Sequence, residues 1–108
     1  MKITNSKSEL HQLIKDLNAE FKGKPFTFNN IYKLSDQIEH ALLHYDKEDI
    51  ENERFLVPFV LEINCDKTMQ LFREATVYIE LEFTTVVEMG FQVIDEIKSL
   101  HVLKSDSL

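Results

Sequence analysis

One cysteine, no tryptophan, two glycines and two prolines stand among 108 residues. Each scarcity closes a route. Cys65 has no second cysteine to pair with, so the fold must be held by its own core, as suits a reducing compartment. Gly23 and Gly90 are isolated, whereas a phosphate-cradling loop needs glycines that let backbone amides approach the anion, so a nucleotide loop is excluded. Few glycines and prolines also mean long elements joined by few tight turns. No apolar run approaches the roughly 20 residues needed to cross a bilayer. No apolar stretch follows Lys2 as a secretory leader would require, and a cytoplasmic protein is expected.

Positive charge is scarce as well. Twelve Lys and Arg stand against nineteen Asp and Glu, a formal net charge of −7. That sign sets the chain against direct contact with nucleic acid or an anionic membrane. The deficit is local: residues 1–45 carry a net +1 and residues 46–108 a net −8.

What is present is enough for one core. Apolar residues make up 44% of the chain, and a domain of this size buries roughly two-thirds of its unfolded surface. The expectation is a single domain over 1–108, with 1–5 and 104–108 as loose tails. Ser6 and Ser8 offer caps to a helix whose Leu10, Leu13, Ile14, Leu17 and Phe21 form a 3.6-residue stripe, ended by Gly23 and Pro25. Thr27 or Asn29 caps a second helix, with Ile31, Leu34, Ile38, Ala41, Leu42 and Tyr45 on one face. Residues 46–54 are almost all charged and read as a solvated connector or a helix extension.

From Phe55 the period falls to two. Phe55, Val57, Phe59, Leu61 and Ile63 share one face, with Leu56, Pro58, Val60 and Glu62 on the other; Pro58 places this strand at an edge. Asn64 to Lys67 reads as a turn. Val77 to Phe83 alternates with acids, the pattern of a half-buried antiparallel strand. Val87, Met89, Phe91 and Val93 suggest a further strand, whereas Val93, Ile94, Ile97 and Leu100 also fit a short helix begun near Asp95. The fold class expected is α+β: two N-terminal helices packed on a three-stranded antiparallel sheet, with a short C-terminal helix as one reading of 95–103.

Chemical motifs are weak. Asp36, His40 and His44 are spaced four apart on the second helix and could share a metal, yet no glutamate stands between the histidines as in a zinc-protease helix. A solvated helix face is the plainer reading, and neither metal nor cofactor is expected. Tyr32 and Leu43 share that polar face, where large apolar groups mark either a contact surface or packing under residues 46–54. Cys65 paired with His11, His40, His44 or His101 would need a thiol of lowered pKa, and an ordinary cysteine fits better. Glu80 and Glu82 would need a pocket to act as an acid–base pair, and an exposed sheet face explains them better.

The segment Lys22 to Ile31, with helices on both sides and strands after it, resembles the entry to a winged helix over about residues 9–83. The helix that would read DNA carries Asp36 and Glu39 and runs into Asp46, Glu48 and Asp49, where base and phosphate contacts call for Arg, Lys, Asn or Gln. Such a helix would meet protein instead.

These features lead to a non-enzymatic protein-binding module, of the inhibitor or immunity type, that masks a basic surface on its partner. Tyr78 between Glu80 and Glu82 is the expected anchor with steering charges, joined by Glu62 and Glu88 on neighbouring strands. Small nuclease inhibitors and immunity proteins work in this way, a likeness of size and charge. The plainer account is that outward acids keep a sheet soluble. The alternative is a regulatory or assembly protein that forms a homodimer through Tyr32, Leu43 and the strand at 55–63.

Overall fold

The computed structural model describes residues 2–3, 6–44, 56–63, 66–73 and 76–103. In chain order the elements are β1 (Lys2–Ile3), α1 (Lys7–Phe21), α2 (Phe28–Leu42), β2 (Leu43–His44), β3 (Val57–Ile63), β4 (Asp66–Arg73), β5 (Thr76–Glu88) and β6 (Phe91–Val102). The last four form one antiparallel sheet in the order β3-β4-β5-β6, and β1 pairs with β2 in a separate two-stranded ribbon. Two helices on an antiparallel sheet is the α+β class expected, with four strands in place of three.

Local chemistry sets the helix ends. The Ser6 hydroxyl accepts the Glu9 N–H at 3.3 Å, and the Glu9 carboxylate reaches back to the Ser6 N–H, a capping box that satisfies two orphan donors. At the other end Gly23 takes φ +85°, the left-handed conformation that lets the chain leave the helix. Thr27 caps α2 by accepting the Asn30 N–H at 3.2 Å. Leu17 and Phe21 from α1, and Leu34, Ile38 and Leu42 from α2, are buried against Met69, Leu71, Ile79, Leu81, Phe83, Ile94 and Ile97. A fully buried leucine or phenylalanine contributes roughly 1.5–3 kcal/mol, so this one layer of contacts is the main stabilising term.

Of the two readings left open for 95–103, β6 decides for the strand. Its core residues Ile94, Ile97 and Leu100 recur every three positions, which is near a helical period. The register explains them: Thr85 pairs with Ile94, Thr84 with Glu96, Phe83 with Ile97 and Glu82 with Ser99. Asp95 and Lys98 are therefore extra residues in two bulges, and each bulge shifts the alternation by one. β5 runs on through Thr84 and Thr85 to Glu88. The chain turns at Met89 and Gly90, both at positive φ.

Among the described residues no strand lies beyond β6, yet much of its outer edge is occupied. Gly23 N–H bonds to the Ile94 carbonyl, Ile94 N–H to the Lys24 carbonyl and Phe26 N–H to the Gln92 carbonyl. Further along, the Asn18 side chain donates to the Ile97 carbonyl at 3.0 Å and accepts its N–H at 2.7 Å. α1 is thus clasped to the sheet by backbone-like bonds. The strands after α2 build a whole layer of the core. Lys2–Ile3, read as part of a loose tail, forms β1; the tail at 104–108, the connector at 46–54, Tyr45, and Asn64 and Cys65 of the turn lie outside the described residues.

Candidate functional site

The sheet has a helix face and an open face, and register decides which side chain belongs to each. Glu80 pairs with Gln70 and Glu82 with Thr68, on the face away from the helices. Glu82 is exposed, while Glu80 is half-buried and accepts a hydrogen bond from the Gln70 amide at 3.0 Å. Glu88 lies on the same side of β5, six residues beyond Glu82 and so roughly 20 Å along the strand. Lys98, pushed out by its bulge, approaches Asp66 at 4.0 Å. The acidity of this face is therefore partly offset at one end.

Two of the expected acidic-face residues are elsewhere. Tyr78 is buried in the core. Leu71 pairs with Ile79 and Phe72 with Val77, which leaves Tyr78 as the extra residue of a bulge and turns it inward beside Ile79. It is not an exposed anchor. Glu62 pairs with Lys67 on the helix face, opposite to Glu80 and Glu82. The Lys67 ammonium is fully buried, forms an ion pair with Glu62 and sits 5.2 Å from the centre of the Phe26 ring. A hydrogen bond from Lys67 holds the Glu62 carboxyl below its usual range, and Gln92 adds to this.

What occupies the open face of β3 is apolar. Val57, Phe59 and Leu61 are about half exposed, Phe59 at 51%, while Leu56 is buried and Val60 packs on the core. Phe59 leans on Phe72 of β4 with ring centres 6.5 Å apart. The face of β3 with more large apolar groups is thus the one turned away from the helices. On the helical side Phe28 is 80% exposed and stacks at 5.2 Å on Tyr32, itself 43% exposed. Between these two sides runs a groove of about 500 Å³ lined by Phe26, Ile31, Tyr32, Pro58, Val60 and Glu62 among others.

The remaining site expectations separate. Asp36 and His40 are on α2, where the His40 Nδ1 lies 2.7 Å from the Asp36 carbonyl. α2 ends at Leu42, so Leu43 and His44 belong to β2 and do not continue the helical row with Asp36, His40 or Tyr32. Among the described residues no three His, Cys, Asp or Glu side chains converge as a metal-binding set. Cys65 lies outside the described residues, and with it any Cys–His pair.

Reading the sequence missed Lys67, taken as a turn residue, and the buried Glu39. The signal for Lys67 was available: a two-residue connection after Ile63 sets Glu62 opposite it. Comparison of the chain with protein-family models, with curated proteins and with solved structures finds no match.

Proposed function

We propose that this chain is a non-enzymatic protein-binding module whose open sheet face meets a partner with an apolar patch bordered by basic groups. The observation that carries it is the stripe of Val57, Phe59 and Leu61, about half exposed on an edge strand. Large apolar groups set contiguously on a surface mark interaction sites, since leaving them wet gains the fold nothing. Glu82 and Glu80 stand two strands away on the same face. Acids beside an apolar centre raise the encounter rate with a basic partner and reject acidic ones.

Affinity purification tests this reading with the native chain, with Phe59→Ser, and with Glu80→Lys combined with Glu82→Lys. A partner retained by the native chain should be lost with Phe59→Ser, and should be retained less at low salt with the charge reversal. Capture that is indifferent to both changes would sink the proposal. The same stripe would serve a homodimer, the alternative arrangement. Light scattering at micromolar concentration separates the two: a monomer leaves the stripe for another protein, and a dimer assigns it to self-association.

A further inference from the structure

We infer that the groove between the start of α2 and β3 receives an extended peptide, which adds a strand to the outer edge of β3 and seats one large apolar side chain. This rests on the reading of the chain as a protein-binding module, but uses the helix side and outer edge of β3, sharing Phe59 at the rim with the open sheet face.

The backbone supplies the first argument. β3 is the last strand of its sheet, and on one side its N–H and C=O groups face no other described strand. Such an edge is a template for another extended chain. Proline lacks the donor that an inward position would need, so Pro58 fits only where the N–H would point outward. β3 runs against β4 in unbroken register from Val57 to Ile63. Strand alternation then gives Val60 and Glu62 the same outward sense, and their N–H and C=O groups flank the groove that both residues line.

The walls supply the second argument. Facing that edge are Phe26, Phe28, Ile31 and Tyr32, an aromatic and aliphatic wall carried by the loop before α2 and its first turns. Its volume of about 500 Å³ lies within the range of sites that enclose ligands. The carboxylate on its rim is Glu62, whose side chain is 43% exposed although paired with Lys67. An apolar anchor with a basic residue beside it on the same peptide face is the complement.

The same features disfavour a second copy as occupant. An antiparallel β3 from another molecule would bring its own Pro58 to the shared edge, so each strand would lack a donor there. Both chains would also carry a net charge of −7. A short heterologous strand over Phe59 to Ile63 avoids both penalties.

The test is selection of a phage-displayed random dodecapeptide library on the immobilised full chain. The enriched peptide is then resynthesised with a fluorophore, and its affinity is measured by anisotropy. Enriched sequences should share one large apolar residue with a basic residue two positions away. Tyr32→Glu and Val60→Pro should each weaken binding by roughly tenfold or more, the first by spoiling the wall and the second by removing an edge donor. Glu82→Lys, on the other sheet face, should leave it within about twofold. Should Val60→Pro fail to fold, N-methylation of the peptide at each position in turn asks the same question, and one or two positions should lose binding. Absence of enrichment over a bare surface overturns the inference, as does affinity indifferent both to N-methylation and to Tyr32→Glu. Peptides that respond to Glu82→Lys but not to Tyr32→Glu overturn the groove while leaving the sheet-face proposal standing.

Discussion

Replacing Glu39 with glutamine should make the protein more stable above neutral pH, against the usual expectation for a change in the core. Glu39 lies on α2, almost wholly buried, and accepts the Leu56 N–H at 2.6 Å. Burial pushes its carboxyl up from 4.5 to about 7; the Leu56 N–H opposes this, Asp36 adds to it and His40 opposes it. Below about pH 4.5 the carboxyl is protonated in both the folded and unfolded chains. Between there and about pH 7 the folded chain holds the proton more tightly, so stability falls as pH rises. The gap corresponds to on the order of 3 kcal/mol, fully lost above pH 7. Glutamine keeps an acceptor oxygen for Leu56 and carries no charge. Its advantage should grow from near zero at acid pH to about 1–3 kcal/mol at about pH 8. Urea unfolding of both proteins at several pH values measures this directly. Parallel stability profiles between about pH 5 and 8, or a glutamine variant weaker at pH 8, would refute the account.

Two further outcomes follow from the backbone. Met89 holds φ +52° at 97% exposure, so Met89→Asn should relieve left-handed strain without loss of packing. It should add about 0.5–1 kcal/mol and raise Tm by several degrees, and an unchanged or lower Tm would contradict the turn assignment. Asn18→Ala should cost about 2 kcal/mol by leaving the Ile97 N–H and carbonyl unpaired, and the Ile97 amide should exchange much faster with solvent. Retained protection at Ile97 would mean that the clasp between α1 and β6 contributes nothing.

The helices were legible because their signals are local. Ser6 followed by Glu9, the 3.6-residue stripe, and Gly23 before Pro25 all act within a few residues of one another. The sheet was legible only where its alternation ran unbroken, as from Ile79 to Phe83. At Tyr78, Asp95 and Lys98 a bulge inserts one residue. A period of two interrupted by single insertions puts Ile94, Ile97 and Leu100 three apart, and three is also what a helix face shows. Nothing local separates the two readings; the partner strand does.

The open face was hidden for a different reason. β5 places Glu80 and Glu82 outward and Ile79, Leu81 and Phe83 inward, so its sequence declares which side is wet. β3 makes no such declaration, because Val57, Phe59 and Leu61 on one face compete with Leu56 and Val60 on the other. The helices cover the second set, and the reason lies five residues downstream. Lys67 is buried on the helix face, where the carboxylate of Glu62, its register partner on β3, compensates its charge. Register thus places Glu62, Val60 and Pro58 inward together and leaves the larger apolar set outside. A strand with apolar groups on both faces has more of them than one core can use. In β3 that excess, more than the acids of β5, is the part of the sequence that points to a partner.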